Sequence, residues 1–152
     1  MAYTLMPNHF HFQIHANERT VRKKLVQGLE RNEFGEGIRM LLSSYTQAIN
    51  KQEGRTGSLF TQNTKSKCLN EPSTNEERPF VCFHYIHQNA FKAGLVQRLE
   101  DWEFSSFRDY AGLRNGSLCN LNLGTQLLNL NKESFVKDSY EVMSPELYER
   151  IW

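Results

Sequence analysis

Residues 8–15 read Asn-His-Phe-His-Phe-Gln-Ile-His, and in this stretch apolar and polar side chains alternate. Successive side chains of a β-strand point to opposite faces, so the alternation predicts a strand. Residues 2–16 as a whole are predicted to be one strand, broken or bent at Pro7. The apolar members share the face expected to meet a core: Phe10, Phe12 and Ile14. The polar members share the other face: His9, His11, Gln13 and His15.

Apolar residues at helical spacing predict a long helix over residues 34–52. Pro79 and Gly94 are suited to the start and end of a second helix over residues 79–93. Weaker patterns predict four further elements: a short basic helix over 18–31, a strand near 58–68, a short helix over 105–110 and a last helix over 144–152. Together they indicate an α+β fold, in which helices 34–52 and 79–93 flank an antiparallel sheet formed by strands 8–15 and 58–68.

Length and composition indicate one globular domain over residues 1–152, with residues 113–152 as a helical extension. Three cysteines without close Cys-x-x-Cys spacing are typical of reduced thiols in a cytoplasmic protein. No apolar run reaches the roughly 20 residues that span a membrane, and no signal peptide is predicted.

The charge is uneven although the net charge is only +1. Residues 17–67 contain ten Lys and Arg against five Glu. Such an excess suits a polyanionic partner, although a solvated surface is an equally good interpretation of charge alone. We expect Arg55, Lys65 and Lys67, which flank the predicted second strand, to contact DNA phosphates.

His9 and His11 form a His-x-His pair on one face of the predicted strand, with Cα atoms roughly 7 Å apart. Two imidazoles at this spacing can bind one divalent cation, although histidines are also common on wet sheet faces. His15 is on the same face but about 13 Å beyond His11, too far to join that metal.

Tyr85 and Asn89 are four residues apart on the predicted helix 79–93, and therefore lie about one turn apart on one face. A tyrosine hydroxyl has a free pKa of about 10 and is a poor nucleophile, but a nearby divalent metal can assist its attack on a phosphate. The asparagine carbonyl oxygen could bind that metal. Considered alone, Tyr85 is more typical of an aromatic residue at the edge of a core than of a nucleophile.

Four stretches in order resemble single-tyrosine HUH transposases, specifically the REP-associated tyrosine transposase branch. They cover about residues 2–112 and are Met6-Pro7-Asn8-His9-Phe10-His11-Phe12, Gly57-Ser58-Leu59-Phe60 with Lys65 and Lys67, Tyr85-Ile86-His87-Gln88-Asn89 with Lys92 to Val96, and residues 102–110. The resemblance implies a ferredoxin-like or RRM-like fold.

The resemblance also implies a mechanism. His9, His11 and Asn89 would bind Mg²⁺ or Mn²⁺, and Tyr85 would attack a phosphate of single-stranded hairpin DNA to form a 5′-phosphotyrosine and a free 3′-hydroxyl. Members of this family often act as homodimers. Imidazole ligands alone would have favoured Mn²⁺ or Zn²⁺ over Mg²⁺.

Two departures from the family pattern leave alternatives open. The strand, helix and strand that usually precede the His-x-His strand are missing, so the sheet is expected to be incomplete on that side and to expose an edge. Ala90 stands where this branch often has proline. One alternative is a truncated, non-catalytic DNA-binding module. Another is a metal-dependent hydrolase or structural metal protein that uses His9, His11 and His15.

Overall fold

The computed structural model describes residues 1–26, 28–61, 66–70 and 77–141. It confirms an α+β fold with antiparallel strands and helices. The elements are β1 (Ala2–Leu5), β2 (Phe10–Gln13), β3 (Lys23–Val26), β4 (Leu29–Asn32), α1 (Glu33–Gln52), α2 (Arg78–Lys92), a 3-10 turn (Leu99–Asp101), α3 (Phe107–Tyr110), α4 (Leu121–Leu127) and α5 (Phe135–Glu141). They fall into two compact units: the first contains residues 1–14 and the chain from residue 68 onward, and the second contains residues 15–67.

The first unit opens with a β-hairpin rather than with one bent strand. β1 and β2 pair antiparallel, with Thr4 opposite His11, and the Met6 amide donates to the His9 carbonyl over 2.8 Å. The predicted break at Pro7 is confirmed, but the two halves pair as antiparallel strands instead of continuing as one strand. Proline lacks the amide hydrogen that a ladder needs and favours a turn, so the chain reverses between Leu5 and Phe10.

The alternation in β2 was predicted correctly, but its buried face was not. Helix α2 packs against the hairpin, and the Gln13 side-chain amide donates to the Pro79 carbonyl over 2.9 Å. Gln13 is buried, whereas Phe12 and Ile14 are 38% and 47% exposed. The polar side is covered because it finds hydrogen-bond partners and a small neighbour, Ala2, directly opposite Gln13.

The expected strand near 58–68 is absent from the part of this range that the structure describes. Residues 58–61 and 66–68 contain no strand, and the Ser58 hydroxyl donates to the Phe60 carbonyl over 2.6 Å in a turn. The first sheet is instead extended on the other side of β1. There the Leu5 amide donates to the Phe104 carbonyl over 2.9 Å, and the Ser106 amide donates to the Tyr3 carbonyl over 3.0 Å.

Helix α2 is the centre of the first unit and confirms the predicted helix 79–93. Ten consecutive residues, from Val81 to Ala90, are buried. Phe83 and Phe107 are fully buried and surround Phe135, with ring centroids 6.2 and 5.3 Å from it. Burying aromatic side chains of this size supplies a large part of the apolar stabilisation of a small domain.

Two histidines of α2 are buried in this core. His84 Nδ1 lies 2.9 Å from the Ser139 hydroxyl, and His87 Nε2 lies 2.8 Å from the Ser106 hydroxyl. Burial lowers the pKa of His84 from 6.5 to about 4, against an opposing contribution from Asp138. Burial also lowers the pKa of His87 well below its usual value. Both rings are therefore neutral in the folded protein at pH 7.

Because the pKa values of these histidines are lowered by burial, we expect the free energy of unfolding to fall as the pH is lowered from about 6.5 to about 4. Above pH 6.5 the His84 ring is neutral in both the folded and the unfolded protein. Between pH 6.5 and about pH 4 the ring is protonated in the unfolded chain but stays neutral in the folded protein. The expected loss from His84 is about 3 kcal/mol, measured by urea denaturation across this range. His84→Asn removes the titrating ring and retains a donor for Ser139, so its profile should be flatter. An equally steep profile would contradict the assignment.

The second unit begins with a hairpin in place of the predicted basic helix over 18–31. β3 and β4 pair antiparallel, and Gly28 at their turn has φ +79°, a conformation that favours glycine. The helix prediction was wrong because a run of charged residues fits an exposed strand equally well. The Asn32 side chain then accepts a hydrogen bond from the Gly35 amide and caps α1, which confirms the predicted helix 34–52.

The predicted helix 105–110 is confirmed in its last four residues by α3, and residues 113–141 contain two short helices, α4 and α5. The predicted last helix, 144–152, lies outside the described residues.

Candidate active site

His9 and His11 lie close together on the hairpin, at the start of β2. Their ring centroids are 5.0 Å apart and the rings are nearly perpendicular, at 86°. If an imidazole nitrogen of each ring lay about 2.1 Å from one ion, the centroids would be separated by roughly 5 Å. The spacing of the two rings therefore fits a shared cation.

The His9 ring is oriented by its neighbour. Its Nδ1 lies 2.6 Å from the Asn8 side-chain oxygen, which can only accept, so Nδ1 carries the proton. In a neutral imidazole of this tautomer, the lone pair that can bind a cation is on the other ring nitrogen, Nε2. Sequence reasoning did not assign Asn8 a role, although its position next to a candidate ligand was a usable signal.

His11 is half-buried between the hairpin and α2. Burial, and to a lesser extent the neighbouring His9, lowers the pKa of His11. Only neutral imidazole binds a metal, so a lowered pKa widens the pH range over which His11 could act as a ligand.

Tyr85 reaches the histidine pair from α2, across 74 residues of sequence. Its ring centroid lies 5.8 Å from that of His11, with an angle of 73° between the rings. Because α2 packs on the hairpin face that carries His11, the helix brings Tyr85 to the pair. Tyr85 is only 6% exposed, so its ring is held in a fixed position.

Asn89 lies one turn after Tyr85 on α2, and is buried. Its side-chain nitrogen donates to the Tyr85 carbonyl over 2.8 Å and to the Ile86 carbonyl over 3.4 Å. These bonds turn the amide nitrogen toward the helix backbone and leave the carbonyl oxygen at the opposite end of the amide. An oxygen held in this way is chemically suited to a hard cation.

Lys92 is a further residue beside Tyr85 that sequence reasoning did not assign. Its Nζ lies 6.0 Å from the centroid of the Tyr85 ring, and burial lowers the pKa of Lys92. The signal was available, because residues seven apart on a helix share a face. A cation here can stabilise negative charge that develops on a phenolic oxygen or on a phosphate.

The ligand set predicted from the sequence is two imidazoles, from His9 and His11, and one carboxamide, from Asn89. Among the described residues, no three His, Cys, Asp or Glu side chains cluster in a way that could hold a metal ion. Any metal at His9 and His11 would therefore need a neutral third ligand such as Asn89, with substrate or water completing its coordination. Imidazole and carboxamide ligands fit Mn²⁺ better than Mg²⁺, which prefers oxygen.

The residues expected to bind DNA belong to the second unit. Arg55 and Lys67 are exposed there, and Lys65 lies outside the described residues. Their contact with DNA stays a prediction. His15, the third histidine of the alternative metal site, is exposed and also belongs to the second unit.

Comparison of the chain with protein-family models, curated proteins and solved structures finds no match. In the ranges that the structure describes, no helix has the length and apolar character needed to cross a membrane.

Proposed function

We propose that the protein is a single-tyrosine HUH transposase or endonuclease that cleaves and rejoins single-stranded DNA hairpins through Tyr85. The proposal is supported chiefly by one juxtaposition: Tyr85 lies against His11, and His11 lies against His9. The sequence stretches that resemble the REP-associated branch of the family contain these same residues.

The chemistry begins with attack of the Tyr85 hydroxyl oxygen on a DNA phosphorus. The phenol loses its proton as the new P–O bond forms, and the bond to the 3′-oxygen breaks. The products are a 5′-phosphotyrosine and a 3′-oxygen that takes up a proton. Rejoining is the reverse reaction, with a 3′-hydroxyl attacking the phosphotyrosine. The energy of the broken phosphodiester bond is retained in the phosphotyrosine link, because one phosphodiester replaces another and no hydrolysis occurs.

His9, His11 and Asn89 are the residues that would hold Mg²⁺ or Mn²⁺. When bound, the cation would polarise the phosphate and stabilise its developing charge. Burial of Tyr85 fixes the nucleophile, and Lys92 adds positive charge beside it. We also propose that the protein acts as a homodimer, as members of this family often do.

The decisive experiment is a search for the covalent intermediate. The purified protein is incubated with a library of single-stranded DNA hairpins and Mn²⁺, or Mg²⁺, and examined on a denaturing gel. We expect a protein–DNA adduct that survives denaturation and maps to Tyr85. Cleavage without an adduct would indicate a hydrolytic nuclease.

Removing the proposed ligands should have graded effects on adduct formation. His9→Ala and His11→Ala each remove one of two imidazoles, so we expect each to reduce the rate by about 10²-fold or more. Asn89→Ala should reduce it less, because water can replace one neutral oxygen. The rates are measured on one hairpin at several Mn²⁺ concentrations, with His15→Ala as the control. A His15→Ala effect as large as that of His9→Ala would favour the alternative metal site.

A binding-only module is the second candidate, and the burial of Tyr85 favours it. At 6% exposure, the side chain leaves little surface for a phosphate to approach. This candidate predicts DNA binding without an adduct under any metal condition.

A further inference from the structure

The β3–β4 hairpin is a basic ribbon in the second unit. Residues 20–32 contain four Lys and Arg against one Glu, and no aromatic residue. The excess of positive charge is not spread evenly over the ribbon. Its two faces differ, because the side chains of each strand alternate.

One face of the ribbon is locally neutralised. Lys23 lies opposite Asn32, and its Nζ is 3.1 Å from the carboxylate of Glu30. Both partners are exposed, so this pair contributes little stability but does offset the charge of the face.

The other face places two cations together. Lys24 lies directly opposite Arg31 in the ladder. Like charges at directly opposed positions destabilise an antiparallel pair. Lys24 is exposed and Arg31 is half-buried, so this face brings two cations side by side at the surface of the hairpin.

Arg31 is also held in place from the helix. Its Nη1 lies 3.3 Å from the Glu36 carboxylate, and Arg39 binds the same carboxylate with an Nε–oxygen distance of 2.9 Å. Glu36 is buried, and one acid shared by two arginines leaves positive charge in excess. Glu36 therefore holds Arg31 and Arg39 in place with one positive charge in excess, and the exposed Lys24 adds a second.

We propose that the ribbon face carrying Lys24 and Arg31 binds the phosphate backbone of a base-paired DNA stem. A two-stranded β-ribbon fits the major groove of a duplex. Single-strand binders stack bases on aromatic side chains, which residues 20–32 lack. This inference rests on the proposed function, for which the stem of the hairpin substrate would be the duplex.

The test compares Lys24→Glu with Lys23→Glu, two neighbouring variants with the same change in net charge on opposite faces. Binding to a DNA duplex and to unstructured oligo-dT of equal length is measured over a salt series. Each lost phosphate contact reduces the salt slope by about 0.9 and weakens binding roughly eightfold near 0.1 M salt. We expect such a loss for Lys24→Glu on the duplex, and less than a threefold change for Lys23→Glu.

Thermal unfolding separates a binding effect from a folding defect. Lys24→Glu replaces a repulsion with an ion pair to Arg31, so its Tm should stay equal or rise while duplex binding falls. Lys23→Glu breaks the pair with Glu30, and its Tm should fall slightly. Equal weakening by both variants, no weakening by either, or a larger loss on oligo-dT would overturn the inference. Adduct formation by the parent is scored separately, so failure of the proposed nuclease activity leaves this comparison readable.

Discussion

Tyr85→Phe should form no covalent adduct with hairpin DNA, a loss of at least about 10³-fold in the cleavage rate. The substitution removes the hydroxyl and keeps the ring that packs 5.8 Å from His11. The packing of the ring should therefore be retained, while the hydroxyl proposed as the nucleophile is lost. The rate is measured by single-turnover cleavage of a labelled hairpin with Mn²⁺.

Tyr45→Phe is the matched control, because it makes the same chemical change at an exposed tyrosine of the second unit. It should cleave like the parent. Hairpin binding by Tyr85→Phe should also match the parent, since phosphate contacts are made by other residues. If Tyr85→Phe cleaves as fast as the parent, water or another side chain is the nucleophile and the protein is a hydrolytic nuclease.

Arg114→Ala should lower the free energy of unfolding by about 3–5 kcal/mol, because it leaves the buried Asp109 carboxylate with the Gly116 amide as a donor but without its cationic partner. The Asp109 side chain is 1% exposed, and its oxygens lie 2.7 and 2.6 Å from the Arg114 guanidinium. The same guanidinium donates to the Ser105 carbonyl and to the Tyr3 hydroxyl, both over 2.8 Å. One side chain thus ties β1 to the segment that pairs with it. Urea denaturation measures the loss.

Two variants calibrate this prediction. Arg98→Ala breaks a longer pair, at 3.5 Å, between an exposed arginine and a Glu100 carboxylate that keeps the Tyr140 hydroxyl as a donor, and should cost less than about 1 kcal/mol. Arg114→Lys keeps the charge but loses the two parallel bonds to Asp109, and should fall between. If Arg114→Ala has the same free energy of unfolding as Arg98→Ala, the Asp109 carboxylate does not depend on Arg114 and the buried pair does not hold β1 in place.

Local patterns predicted the two long helices well and the strands poorly. The apolar spacing within 34–52 and the Pro79 and Gly94 boundaries are local signals, and both helices formed where they indicated. Strand pairing depends on distant residues. Nothing within residues 8–15 shows that β1 is their partner, or that Gln13 rather than Phe12 meets α2.

In the candidate site too, local spacing could be predicted from the sequence and contacts between distant residues could not. The spacing of His9 and His11 predicted that the two rings would lie together, and they do. Their approach to Tyr85 is a tertiary contact that helix and strand periodicity could not predict; only the order of motifs indicated it. Asn8 and Lys92 were visible beside predicted site residues but could not be assigned, because their value depends on where a side-chain atom lies.

The ten buried positions of α2 bear on how a transposition reaction could proceed mechanically. A helix covered on all sides cannot swing outward without opening the core around Phe83. If Tyr85 carries a DNA end, that end is anchored to the least movable part of the first unit. The partner strand would then have to move to the tyrosine, so strand exchange would be a movement of the nucleic acid while helix α2 stays in place.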